Sequence, residues 1–199
     1  MAASDPTRAA RAEAEGLPAE LIRKAARGDQ LAARAFFDHH HRNVHAFLWR
    51  MLSTRASRAV VDELTQDTFL RAFAALPSFD LAGPARVSSW LLTIATRVAL
   101  NELRRLQRKP DATVNVELVA IPGGDAPDEA ARRRALGALV ERAVAALAPD
   151  HRALLVLREY HDRTLEEIAS ALELPLGTVQ SRLARARAAL REALKGVER

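Results

Sequence analysis

Between Thr164 and Arg187 the chain reads TLEEIASALELPLGTVQSRLARAR, and few folds accommodate that order of residues. Thr164 followed three positions later by Glu167 forms a capping box, in which hydroxyl and carboxylate satisfy amides left unpaired at a helix start. Ile168 and Leu172 then give an apolar stripe at helical spacing, and Ala169 is small enough for a second helix to cross closely. Glu173-Leu174-Pro175 interrupts the period, because proline cannot continue a helix but suits the first turn of the next one. In that second helix Val179, Leu183, Ala186 and Leu190 share one face at about 100° per residue. Ser181, Ala184 and Arg185 lie opposite, flanked by Thr178, Gln180 and Arg182. The pattern predicts a helix-turn-helix whose outward face carries hydroxyl, amide and guanidinium groups, the donors and acceptors that read base edges and phosphates in a major groove. A solvated basic face on a plain helix pair is the blander alternative.

Charge along the chain suggests two units. Over the whole chain 30 Lys and Arg face 25 Asp and Glu, giving +5, which permits a polyanionic partner. Residues 1–108 carry 16 basic and 11 acidic side chains, residues 109–129 carry 1 and 5, and residues 130–199 carry 13 and 9. The acidic segment holds Pro110, Pro122, Gly123, Gly124 and Pro127, so a flexible linker is expected there. Extended, it reaches about 70 Å, enough to set two modules two turns of DNA apart. Beyond a short alternation around Thr113 to Val119, no segment alternates as a half-buried strand does. The expected fold is all-α: two small helical domains joined by a flexible linker, the C-terminal one a helix-turn-helix.

With no cysteine, disulfides and thiolate metal sites are excluded. No run approaches a membrane span and the N-terminus lacks a secretory apolar core, so a cytoplasmic location is expected, with residues 1–16 a disordered tail.

In the first unit a helix from about Leu17 to Arg27 should stop at Gly28, and Asp29 should cap a longer helix with Phe36, Phe37, Val44, Phe47, Leu48 and Leu52 inward. His39, His40, His41 and His45 within it read as surface histidines. His41 and His45 are spaced to share a metal, but no carboxylate completes the pattern, and no metal site is expected. A third helix, about Arg58 to Leu76, buries Val61, Thr65, Phe69, Phe73 and Leu76. Glu63, Gln66, Asp67 and Leu70 cluster on another face, where an exposed leucine with two carboxylates offers a dock for a basic helical partner. Spacing alone equally fits a solvated face.

A fourth helix, from Ser88 or Ser89 to about Arg108, turns Leu91, Leu92, Ala95, Val98, Ala99, Leu103 and Leu106 inward. Trp90, Arg97, Asn101, Arg104 and Arg108 form a second stripe, able to grip phosphates and to support an unstacked base at the indole. Packing of Trp90 into the domain is the competing reading.

Three segments, DELTQDTFLRAFAALPSF, SSWLLTIATRVALNELRR and LPLGTVQSRLARAR, occur in an order and spacing that resembles the extracytoplasmic-function group of sigma-70 type bacterial sigma factors. The likeness covers residues 17–108, a region 2-like domain, and residues 133–194 of the second unit at 130–199, a region 4-like domain. It implies an initiation factor rather than an enzyme, with neither cofactor nor small-molecule substrate. Glu63, Gln66, Asp67 and Leu70 would then meet the clamp helices of core RNA polymerase. Arg86, Ser88, Trp90, Arg97, Asn101, Arg104 and Arg105 would contact the minus 10 promoter element, and Thr164, Thr178, Gln180, Ser181, Arg182 and Arg185 the minus 35 element. An anti-sigma factor, often membrane-anchored, is an expected partner and would hold the chain at the inner face of the membrane. The chain departs from the group's pattern at Arg97, where asparagine is usual, at Glu173, where glycine is usual, and at Ala184, where a larger residue is common.

Two other readings follow from the residues. A stand-alone helix-turn-helix regulator explains the second unit and leaves the Glu63 face idle, and a histidine-dependent metallohydrolase ranks last. Self-inhibition is open in two forms: packing of the two modules together, or the linker acids Asp111, Glu117, Asp125, Asp128 and Glu129 lying against the recognition helix.

Overall fold

The computed structural model describes residues 17–52, 54–83, 85–108 and 127–195, the side chains of 127–134 excepted. The expected tail, most of the expected linker, the alternation around Thr113 and the linker-acid contact lie outside the described residues. Within them, all regular structure is helical.

Helix α1 (Ala19–Ala26) ends as the sequence predicts: Gly28 takes φ +87, its amide donates to Ala25 O (3.0 Å), and Asp29 N–H donates to Lys24 O (3.1 Å). Asp29 Oδ1 accepts from Ala32 N–H at 2.8 Å and so starts α2 (Gln30–Leu52). Helix α3 (Arg58–Ala75) follows, capped by Ser57, and a short 3-10 turn over Leu76–Ser78 ends it at Pro77. Helix α4 (Val87–Arg108) completes a bundle in which α2, α3 and α4 pack mutually and α1 lies on α2. Phe36, Phe47, Leu48, Val61, Leu91 and Leu92 are fully buried in it. Thr65, Thr68 and Thr96 are buried too, each hydroxyl donating to the carbonyl four residues earlier at 2.6 to 2.8 Å, so none of these three hydroxyls is stranded.

The second unit begins with α5 (Pro127–Ala146), which starts inside the segment expected as linker. Helix α6 (Pro149–Leu155) has proline in its first turn and runs into a π turn over Val156–Tyr160. Helix α7 (Leu165–Leu172) and α8 (Leu176–Lys195) form the helix-turn-helix, and α8 packs on α5, α6 and α7. Val179, Leu183 and Ala186 face inward, and Leu190 is half-buried against the same core.

The two units are not separate bodies joined end to end. Helix α4 packs against α7 and α6, while α2 packs against α5, α6 and the π turn, and one continuous apolar cluster runs from Leu17 to Ala186. Each unit is too small to bury much surface alone, so a shared seam adds burial that neither obtains by itself. Arg152 pins that seam. Only 3% exposed, it donates to Met51 O at 2.6 Å, to Leu147 O at 3.4 Å and to Ala145 O, carbonyls at the C-terminal ends of α2 and α5. Burial, with Arg55 nearby, lowers its pKa to about 10, so it stays charged at neutral pH.

Candidate nucleic-acid interface

Helix α7 opens with the predicted capping box. Thr164 Oγ1 accepts from Glu167 N–H at 3.2 Å, and Glu167 Oε2 accepts from Thr164 N–H at 2.8 Å. At the other end Glu173 occupies the left-handed region, φ 55 and ψ 44, the conformation in which glycine is free of strain and an L side chain is not. The turn is thus kept despite the absent glycine. It presents Gln180, Ser181, Ala184 and Arg185 of α8 to solvent. Thr178 is half-buried at the helix start and accepts at its carbonyl from Ser181 Oγ (3.0 Å), while Arg182 is half-buried and 3.8 Å from Asp150. The exposed stripe therefore carries one amide, one hydroxyl and one arginine that pairs with no acid among the described residues, with a second arginine held near Asp150 at its side.

On α4, Trp90 is half-buried, its ring 4.8 Å from that of Phe79. Neither reading of the indole holds alone: one side packs and the rest stays reachable. Arg97, Asn101, Arg104 and Arg105 are exposed. Asn101 Oδ1 accepts from Arg104 at 2.9 Å, and Arg105 makes a two-pronged contact to Glu102 with both bonds at 2.6 Å. The buried Glu102 carboxylate, and Glu63 more weakly, push the Arg105 pKa up, so this guanidinium is both charged and aimed. Glu63, Gln66 and Leu70 of α3 are exposed, Leu70 by 70%, and Asp67 pairs with Arg71 at 2.9 Å.

The N-terminal part of α4 is covered. Ser88 and Ser89 are 8% and 6% exposed, and Arg163, just before α7, donates to both hydroxyls at 3.0 and 2.7 Å. Ser89 in turn donates to Glu167 Oε1 at 2.6 Å, Arg86 lies 3.9 Å from the same oxygen, and Arg97 is bonded to Glu173. Ser88, expected at the DNA surface, is under the second unit in this arrangement.

One histidine expectation is corrected. His40 is only 4% exposed, packed on the Phe36 ring at 4.8 Å, and burial together with His39 lowers its pKa to about 4. It falls on the same stripe as Phe36 and Val44, a spacing from which burial was readable. His45 is half-buried and meets Asp62 at 2.9 Å. Among the described residues no three His, Cys, Asp or Glu side chains are grouped to hold a metal, and no helix is long and apolar enough to cross a membrane.

Sequence reasoning did not single out Arg152, His161 or Arg163. His161 is buried at the seam, with Nδ1 2.8 Å from Asn43 Oδ1 and its ring 5.6 Å from that of Phe47. None of the three sits in a periodic pattern, and each has a partner on the other unit, distant in sequence: Met51 for Arg152, Asn43 for His161, and Ser88 and Ser89 for Arg163.

Two family models match the chain, Sigma-70 region 2 over residues 36–109 and Sigma-70, region 4 over residues 137–190. The ECF RNA polymerase sigma factor SigC of Mycobacterium tuberculosis is 33% identical, covering 85% of this chain and 87% of that protein. A solved structure of the sigma factor RpoE in complex with the anti-sigma factor NepR from Bartonella quintana matches with a TM-score of 0.61 and 25% identity, over 81% of this chain and 96% of that one. CnrH, solved in complex with the cytosolic domain of CnrY, matches with a TM-score of 0.60 and 30% identity, over 88% and 96%. Set beside the helix-turn-helix and the α3 and α4 faces, these likenesses place the chain: it belongs to the extracytoplasmic-function group of the sigma-70 family of bacterial RNA polymerase sigma factors.

Proposed function

We propose that this sigma factor docks on the clamp helices of core RNA polymerase through Glu63, Gln66, Asp67 and Leu70 of α3. It holds the minus 10 strand on α4, through Arg86, Ser88, Trp90, Arg97, Asn101, Arg104 and Arg105. It reads the minus 35 duplex with Gln180, Ser181, Arg182 and Arg185 of α8, while Thr164 and Thr178 lie near phosphates. The observation that carries this reading is the 70% exposure of Leu70 among carboxylates, on the unit that also bears the arginine stripe. An apolar anchor left in water with acids beside it suits a basic protein partner, and a stand-alone regulator has no use for it.

The work done is binding work, not chemistry on a substrate. Unpairing and unstacking promoter bases costs a few kcal/mol per base, offset by phosphate contacts and by stacking on the indole. The chain acts without cofactor, metal or small-molecule substrate, in the cytoplasm. Likeness to sigma factors solved with anti-sigma partners supports an anti-sigma factor as its inhibitor, with membrane anchoring as one way of holding it.

Mixing the purified chain with bacterial core polymerase at low salt should give a stable complex that initiates from a cognate promoter. Leu70→Ala and Glu63→Arg should each weaken that complex about tenfold or more, with duplex binding by α8 unchanged. Promoter-specific duplex binding without any association with core enzyme would establish the stand-alone regulator instead.

A further inference from the structure

Two of the three departures from the family pattern, Arg97 in α4 and Glu173 in the helix-turn-helix turn, are bonded to each other across the seam. Nothing local explains Glu173. Its φ of 55 is a conformation that glycine adopts freely, and its side chain is exposed, so it adds neither packing nor turn geometry. What it does add is a carboxylate beside a guanidinium of the minus 10 face. Glu167, one turn into α7, repeats the arrangement with Ser89 at 2.6 Å and Arg86 at 3.9 Å. The two carboxylates, Glu167 in α7 and Glu173 just past its end, thus lie against α4 where DNA phosphates would have to come, while the α8 reading face stays open to solvent.

We propose that the Arg97–Glu173 pair, together with Glu167 on Ser89 and Arg86, is an electrostatic latch that closes the helix-turn-helix unit over the N-terminal half of α4 in the free chain. The latch keeps strand-capturing groups covered until polymerase or promoter DNA draws the units apart. Carboxylates serve here as stand-ins for phosphates, so the ligand competes for the same guanidiniums that hold the latch shut. An exposed pair is weak and screened by salt, so it biases, by a few-fold, a closure whose larger part is the apolar seam and Arg152. The functional consequence rests on the α4 assignment proposed above, whereas the closure itself does not.

The chain has no cysteine, so single cysteines at the exposed Ala74 of α3 and Ala189 of α8 give a clean pair of dye sites in the full-length protein. At about 0.05 M salt, Glu173→Gly and Glu173→Gln should each raise the open-to-closed ratio about two- to fivefold, the range for an exposed ion pair. The glycine variant relieves the backbone and the glutamine variant keeps it strained, so agreement between them assigns the effect to charge. The swap Arg97→Glu with Glu173→Arg should return the ratio to within about twofold of wild type. Raising salt to about 0.5 M should erase the difference between wild type and Glu173→Gln. Equal ratios for wild type, Glu173→Gly and Glu173→Gln at low salt would overturn the latch. In the same samples, a random-sequence single-stranded DNA of about 12 nucleotides should bind both Glu173 variants two- to fivefold more tightly. Opening without tighter DNA binding would uphold the latch and overturn the assignment of α4 to the melted strand.

Discussion

At the scale of single side chains, Glu167 shows how one carboxylate serves two levels of structure. Oε2 closes the capping box on Thr164, and Oε1 accepts from Ser89 of the other unit. Thr164→Ala removes only the first function's partner. It should lower global stability by about 1 kcal/mol, read as a shifted urea midpoint at unchanged slope. Arg152 is the harsher test. Its guanidinium is the hydrogen-bond donor for carbonyls of Met51, Ala145 and Leu147, and no carboxylate shares the site among its bonded partners. Arg152→Ala leaves buried carbonyls unmet as well as a cavity, and should cost about 3 to 5 kcal/mol by urea denaturation. Arg152→Lys keeps the charge but not the fork, and should fall between the two. A loss under about 1 kcal/mol for Arg152→Ala would show that water replaces the guanidinium without penalty.

Among the elements, α8 separates reading from packing most cleanly. Val179, Leu183 and Ala186 are buried, while Gln180, Ser181 and Arg185 are exposed on the far side. Among the described residues Arg185 has no acidic partner to give up on binding, unlike Arg182 with its Asp150 contact. Arg185→Ala should therefore cost about 1 to 3 kcal/mol at the minus 35 element, with polymerase affinity unchanged, as measured by promoter titration and core-binding assays. Equal affinity for every upstream sequence before and after the change would remove Arg185 from base readout. The faces of α3, α4 and α8 were legible because a 3.6-residue period and short-range caps are local properties: Asp29, Gly28 and the Thr164–Glu167 box mark helix ends from neighbours alone. The contacts that shape α4's surface were not legible. Ser88 looked available by its position at a helix start, but its cover, Arg163, is brought by the tertiary fold, as is Glu173 to Arg97. His40 was misread because four histidines in a polar run obscured the stripe it shares with Phe36 and Val44.

For the whole molecule, the seam between the units carries a pH dependence through His161, and the first unit's core carries one through His40. Burial, then Arg50 and Arg163, lowers the His161 pKa to about 4, with Asp162 opposing; the same value holds for His40. The geometry agrees for His161: with Nδ1–H donating to Asn43 Oδ1, Nε2 is the unprotonated nitrogen, and neither it nor Nε2 of His40 meets a hydrogen-bond partner. In the unfolded chain both rings titrate near 6.5. Between about pH 6.5 and 4 the unfolded state therefore binds protons that the folded state refuses. Stability is complete above this window, falls as pH drops through it, and levels off near pH 4, by at most a few kcal/mol for each ring. Glu166, whose pKa is lowered by its own backbone N–H and by Thr164, loses its contribution only below the ordinary carboxylate value of 4.5, outside the upper part of the window. The urea midpoint should thus drop between about pH 7.5 and 5, and His161→Gln, which keeps a donor for Asn43 without a titrating ring, should remove roughly half of that drop. Because His161 bridges to Asn43 and Phe47 of the other unit, its share should also appear before unfolding, as a gain in the open form of the dye-labelled chain at pH 5. A midpoint that falls equally in wild type and His161→Gln would place the proton uptake elsewhere and leave the seam insensitive to pH.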